Sequence, residues 1–365
     1  MESYLTLILF GGFLTLLILG APITVSLAGA SMAAYMLLDK NPIALVQIAF
    51  TSVGNFPLMA LPAFVLAGAL MEAAGISKRL VDIAESLAGP VTGGLGAATV
   101  MACLFFGAIS GSGPATTAAV GMLMVPAMVK RDYDKSYASA VTAASGGLGI
   151  IIPPSIPLVI FGISAMGLMA PPEAIAQHGQ FASLSIPKLF VAGVVPGFIM
   201  ASTLVVTNYF IAKREGYKGL SENWSFGEVR HALRRGIWSI LAPFLILGGI
   251  YSGMFTPTES AVVAIFYSLF VGVFIHRELS FKSTIKSLST TTWITGRVLL
   301  ILFAATVFGR LLIEQKIPVV VAESLLGFTD NMYMVWALTI VLLLFVGMFM
   351  ETLAAIMIIV PVLLP

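Results

Sequence analysis

Apolar residues run along this chain in blocks too long for the interior of a soluble domain. No Asp, Glu, Lys or Arg occurs in 3–38, 41–71, 86–129, 136–172 or 260–276. Each of the first four exceeds the roughly 20 apolar residues that cross a bilayer core. The runs do not alternate polar with apolar, as the strands of a membrane barrel must. The pattern predicts an all-α polytopic membrane protein. Between 236 and 276 two helices must fit, turning at the Gly253–Pro257 segment. Third spans are expected at 56–73 and about 292–313. A short amphipathic helix over 77–88, with Leu80, Ile83, Ala84 and Leu87 at helical spacing, should lie in the interface plane.

Composition sharpens the class. Hydrophobic residues make up 59% of 365, with 19 basic and 17 acidic residues, too few to coat a soluble fold of this size. A net charge of +2 over scattered loops leaves no nucleic-acid footprint. The single Cys103 excludes an intrachain disulfide and says little about compartment. The first apolar run follows Glu2 with no basic n-region and is far too long for a signal peptide core. Basic clusters mark cytoplasmic loops: Lys130, Arg131 and Lys135; then Lys213 to Arg235; then Arg277, Lys282 and Lys286. The stretch 171–188, opening Pro171-Pro172, is placed outside.

The polar stretch 213–235 divides the chain, and similar segments recur across it. At an offset of 234, Thr24 meets Thr258 and Ser26 meets Ser260; Ala84-Glu-Ser-Leu87 recurs as Ala322-Glu-Ser-Leu325; Gly107 to Pro126 resembles Gly347 to Pro361. Set on the topology, the two copies have opposite orientations, the inverted-repeat plan of many secondary transporters. The expected organisation is a first repeat over 1–165, a connecting loop, span and basic loop over 166–235, and a second repeat over 236–365.

The segments that carry chemistry are breaks in these helices. Gly107-Ala-Ile-Ser-Gly-Ser-Gly-Pro-Ala-Thr-Thr lies in the uncharged block 91–129, which as one straight helix would overshoot a bilayer nearly twofold. Broken at Ser110–Pro114, the block predicts a re-entrant hairpin with Ser110, Ser112, Thr116 and Thr117 at its tip. Irregular backbone at that depth is tolerated only where it is buried in protein or lines a cavity. A broken helix is expected over about 136–165. There Pro153 and Pro154 leave carbonyls near Gly149 without helical donors, beside Ser145 and Ser155. Hydroxyls and freed carbonyls are hard oxygen ligands suited to Na⁺, and the helix restarting at Ser155 points its N-terminus at an anion. In the second copy a hairpin is expected at about 331–364, with Glu351 and Thr352 near its tip. At an offset of 235 Thr352 is the counterpart of Thr117 and the suggested cation ligand, with Glu351 as an anchor. Glu259 is expected to cap its helix with help from Thr258 or Ser260.

Several activities lack their machinery. The chain has no P-loop and no His-Glu-x-x-His. Its histidines, His178, His231 and His276, lie in loops or at a helix end, so none serves Ser110 or Ser112 as a base. A transporter and not an enzyme is expected, with no cofactor and Na⁺ as coupling ion. A channel shares broken helices, but a site of hydroxyls and broken backbone is not a ring of carbonyls or like charges.

Ser110-Gly-Ser-Gly-Pro-Ala-Thr-Thr-Ala-Ala-Val-Gly, Pro126-Ala-Met, Arg131-Asp-Tyr-Asp-Lys and Ala143-Ala-Ser…Ile-Pro-Pro-Ser155 resemble the large membrane subunit of tripartite ATP-independent periplasmic (TRAP) transporters. The resemblance extends over the whole chain, through Thr256-Pro-Thr-Glu-Ser and Gly347-Met-Phe-Met-Glu-Thr352. It implies a multi-pass protein of the bacterial inner membrane, of the ion-transporter superfamily, importing organic acids with sodium by an elevator-type motion. It also implies a small four-helix membrane subunit and a periplasmic substrate-binding protein as partners. A stand-alone sodium/carboxylate symporter is the alternative, separable by whether a binding protein is encoded nearby. Family members continue beyond Pro365 into a second broken helix, so the second half-site is expected to be incomplete here.

Overall fold

In a computed structural model of the chain, residues 7–54, 56–166, 185–219, 225–317, 320, 331–350 and 352–363 are described. All regular structure among them is helical: α1 Gly12–Ile18, α2 Ile23–Leu37, α3 Ile43–Val53, α4 Ala60–Ala73, α5 Ile76–Ala88, α6 Gly94–Ser110, α7 Gly113–Val129, α8 Lys135–Gly146 and α9 Ile156–Met166. There follow α10 Ile186–Glu215, α11 Phe226–Tyr251, α12 Pro257–Phe270, α13 Phe281–Glu314, α14 Met332–Phe349 and α15 Thr352–Leu363. Among the described residues, four helical stretches are long and apolar enough to cross a membrane: 186–215, 226–251, 257–275 and 281–314. The pair α4 and α5, bent by 68°, adds a fifth if counted as one broken span. The protein is an all-α polytopic membrane protein.

The chain divides into two compact units. The first comprises residues 1–58, 160–185 and 295–365. In it α1 packs against α2, and the fully buried Phe308 of α13 meets the rings of Phe10 and Phe13 at 5.8 Å each. Lys40 pairs with Glu314 at 2.8 Å, and Arg310 reaches the same carboxylate at 3.1 Å.

The second unit comprises residues 59–159 and 186–294. Here α4 packs on α12, and α5 packs on both α6 and α11. The α5 face differs in detail from its sequence pattern. Leu80, Ile83 and Ala84 are buried, but Leu87 is exposed, and Ile76, Val81 and Ala88 complete the face. Helix ends follow local chemistry. Asp134 caps α8 by accepting from the backbone N–H of Ser136 at 2.8 Å and Tyr137 at 3.0 Å. Glu259 does cap α12, but with Thr256 rather than Thr258 or Ser260. Its carboxylate accepts from the Thr256 N–H at 2.8 Å while the Thr256 hydroxyl accepts from the Glu259 N–H at 3.3 Å. That reciprocal arrangement needs a hydroxyl three residues before the acid, a spacing only Thr256 has.

Candidate functional site

The uncharged block 91–129 folds as two helices turned back on each other. Gly111 ends α6 at φ +61, a conformation that costs L-residues with a side chain. Its N–H donates to Gly107 O at 3.0 Å. A Cβ there would also stand 2.5 Å from the Pro154 carbonyl oxygen. Ser112 then caps α7, accepting from the Ala115 N–H at 3.4 Å, with Pro114 in the first turn where its missing N–H costs nothing. Thr99 near the start of α6 lies 3.7 Å from the sulfur of Met128 near the end of α7, so the arms are antiparallel. Each arm of 17 residues spans about 25 Å at 1.5 Å per residue, short of a full bilayer crossing.

At the tip the hydroxyls form a chain. Thr116 Oγ1 donates to Ser112 O at 2.8 Å. Its single proton thus engaged, Thr116 receives the Ser110 hydroxyl proton across 2.9 Å. Thr117 bonds back along its own helix, to Gly113 O at 2.9 Å. Ser110 and Thr116 are buried, while Ser112 and Thr117 are half-buried.

The second break meets this tip. After α8 the backbone tightens into a 3₁₀ turn at Gly147–Ile150, passes Pro153 and Pro154, and restarts as α9. Ser155 caps the restart, accepting from the Leu158 N–H at 3.3 Å and donating to Ile150 O. One of the carbonyls expected to be free is therefore held by Ser155. The Ile156 N–H crosses to Gly111 O at 3.1 Å, a direct bond between the two breaks. Glycines make the approach possible. A Cβ on Gly149 would lie 2.4 Å from Thr116 Oγ1 and 2.8 Å from Ser112 O, and one on Gly146 would overlap Thr117 Oγ1 at 1.7 Å. Pro153 is buried in the turn.

Ser145 is the exception to this accounting. Its side chain is fully buried and its hydroxyl has no hydrogen-bond partner. A buried unpaired hydroxyl costs about 1–3 kcal/mol; Ser77, Ser239, Ser260 and Thr295 share that state elsewhere, and Ser145 is the one beside the two breaks.

In the first unit, Thr352 opens α15 half-buried. Glu351 lies outside the described residues, as do 171–184 and the Ala322–Leu325 copy. The α14–α15 break falls immediately before Thr352, whereas Thr117 lies beyond the first turn of α7. Matched by their breaks, Thr352 therefore corresponds to Gly113 rather than Thr117.

Over residues 10–365 the chain matches the family described as the tripartite ATP-independent periplasmic transporter, DctM component. The chain belongs to this family. It is 41% identical over 359 residues to the isethionate TRAP transporter permease protein DctMQ of Oleidesulfovibrio alaskensis, covering 98% of this chain and 54% of that one. It is 38% identical over 313 residues to the sialic acid TRAP transporter large permease protein SiaM of Vibrio cholerae, covering 86% and 69%. Against the C4-dicarboxylate TRAP transporter large permease protein DctM of Rhodobacter capsulatus, it is 35% identical over 317 residues, covering 87% and 71%. The chain thus spans about half the length of the first relative and about 70% of the other two. These TRAP proteins are named as permeases, not enzymes.

The structure also brings in residues that the helix-break pattern did not single out. Gly68 of α4 backs the tip, since a Cβ there would lie 3.2 Å from Ser110 Cα. On α10, Gly193 and Gly197 face Ile151 and Ile152 just past the 3₁₀ turn. Their four-residue spacing in an apolar span is the signal that marks a close helix contact.

Proposed function

We propose that this chain is the large membrane subunit of a sodium-coupled importer of organic acids in the bacterial inner membrane. The observation that carries the reading is the meeting of two broken segments around hydroxyls, with one buried hydroxyl unpartnered. Oxygens of Ser110, Ser112, Thr116, Ser145 and Ser155, with the backbone around Gly149, are hard ligands that replace the hydration shell of Na⁺. Only the dipole of α9 favours an anion beside them, because the Ile156 and Leu158 N–H groups are engaged by Gly111 O and the Ser155 hydroxyl and Pro157 has none. Named substrates of the relatives, isethionate, sialic acid and C4-dicarboxylates, are all acids.

On this reading residues 1–165 and 236–365 are inverted repeats, each with a re-entrant hairpin, and substrate moves by an elevator-type displacement. The two helix–break–helix segments, α6–α7 and α14–α15, support it. Thr117 shapes the tip, and Thr352, at the start of α15, would contribute a hydroxyl oxygen of its own at the second break. A periplasmic binding protein delivers the substrate and a small four-helix membrane subunit completes the assembly. The test is uptake by the complete system in proteoliposomes with its binding protein. Organic-acid uptake should require an inward sodium gradient. Uptake at the same rate without sodium overturns the reading.

A further inference from the structure

A buried carboxamide lies apart from the hydroxyl site. Asn208 sits on α10 at 3% exposure, and an amide inside a membrane span is costly unless both its ends are paired. Both are. Its Nδ2 donates to Gly93 O at 3.0 Å, and its Oδ1 accepts from the Tyr137 phenol. Gly93 immediately precedes α6, and Tyr137 lies in the first turn of α8. The fit is close: a Cβ on Gly96 would stand 1.8 Å from Asn208 Oδ1, and one on Gly93 2.5 Å from Ala212 Cβ. Around it Tyr133 and Tyr217 stack with centroids 4.2 Å apart, Tyr217 O accepts from the Gly93 N–H at 3.3 Å, and the Tyr217 hydroxyl accepts from the Asp134 N–H at 3.1 Å.

From this point α6 and α8 pack together and run the same way, α6 to Ser110 and α8 to Ser145. The two sets of site oxygens ride at the far ends of rods roughly 24 Å and 12 Å long from their pinned ends, at about 1.5 Å per residue. A slip of one rod along the other by one residue rise, about 1.5 Å, would break the close approach of Gly107 on α6 to Gly149 just beyond α8, where a Cβ on Gly107 would stand 2.7 Å from Gly149 Cα. One amide bonded to both rods removes that freedom.

We propose that Asn208 is a positioning residue for ion binding: by tying Gly93 to Tyr137 it sets the register of the tip hydroxyls against the 145–155 break. The proposal rests on the sodium reading above. Its test uses Asn208→Ala, Tyr137→Phe and the double variant in the complete reconstituted transporter. The native Cys103, buried on α6, serves as a reporter of helix opening through maleimide labelling.

Asn208→Ala should raise the sodium half-saturation of uptake by about five- to twentyfold, the size expected of a residue acting through its neighbours, and change the maximal rate less than about twofold. Tyr137→Phe should move it the same way by less. The double variant should be no worse than Asn208→Ala, because both break one network. In sodium-free membranes Cys103 should label faster in Asn208→Ala than in wild type. An unchanged half-saturation with a fallen maximal rate, or effects that multiply in the double variant, overturns the positioning role. If wild-type uptake ignores sodium, the ion reading falls and the positioning role with it. Labelling then judges the clamp separately, and equal labelling of Cys103 in the two proteins overturns it too.

Discussion

Ser145 and Gly149 sit four residues apart at the end of one helix and make opposite demands on substitution. The Ser145 hydroxyl is buried without a partner, so removing it should not weaken the empty protein. Ser145→Ala is expected to leave thermal stability without sodium unchanged or raised by about 1 kcal/mol. On the proposed sodium reading, added sodium should stabilise the wild type by mass action and the variant much less. Melting curves with and without sodium check this, and an undiminished sodium effect removes Ser145 from the site. Gly149→Ala places a methyl where Thr116 and the Ser112 carbonyl already stand. Overpacking of that kind costs about 1–3 kcal/mol, and here it should also weaken sodium binding at least tenfold, read as half-saturation of uptake. The hydroxyls and the Pro-Pro break were legible in the sequence because they interrupt otherwise uniform apolar runs. The unpaired state of Ser145, and the capture of Ile150 O by Ser155, were not. Hydrogen-bond accounting depends on which atoms meet in space, and residue types do not reveal it.

Among the elements, the loop between α7 and α8 carries a titratable cap. Backbone N–H groups of Tyr137 and Ser136 hold the Asp134 carboxyl below its usual range. The sign follows from linkage: a carboxyl whose folded pKa is depressed stabilises above its unfolded value, about pH 4, and that contribution is lost as pH falls through the lowered value. Asp134→Asn should therefore melt below wild type at neutral pH, with the gap closing in acid. A gap that does not depend on pH would assign the effect to hydrogen bonding alone. The α12 cap shows how far local patterns reach. A capping role for Glu259 was readable, but the choice among Thr256, Thr258 and Ser260 was settled by the three-residue geometry of a reciprocal cap. The hairpin arms were readable too, because a 39-residue uncharged block cannot be one helix in a bilayer.

For the whole molecule, charge placed the ends of the helices while packing decided their neighbours. The hairpin base and the end of α10 share one end of the second unit: Tyr133 donates to Lys218 O at 3.3 Å. Single cysteines at Asp132 and Lys218, in a Cys103→Ser background, should react with a membrane-impermeant reagent from the cytoplasmic side only. One at Met254, beyond the crossing helix α11 and 72% exposed, should react from the other side. Labelling of Asp132 and Met254 from one side would overturn the topology. Helix positions were legible from hydropathy. The grouping of 59–159 with 186–294 was not, since an apolar run shows that a face is buried and never against what.

That grouping sets a schedule for synthesis. The second unit is not contiguous in the chain, and α4 finds its partner α12 only after roughly 180 further residues have left the ribosome, about 10–40 s at ordinary elongation rates. The hairpin and the 145–155 break, by contrast, emerge together and bond to each other early. The half of the unit that holds the hydroxyls can thus assemble during translation, with Gly68 of α4 against Ser110, while the face of Ala60 to Ala73 that meets α12 must wait in lipid or in the hands of the insertion machinery. Slowing translation between the two would prolong that exposure. Selection for rapid synthesis of the 74–256 stretch would be a constraint on the messenger, imposed by the order in which a membrane bundle closes.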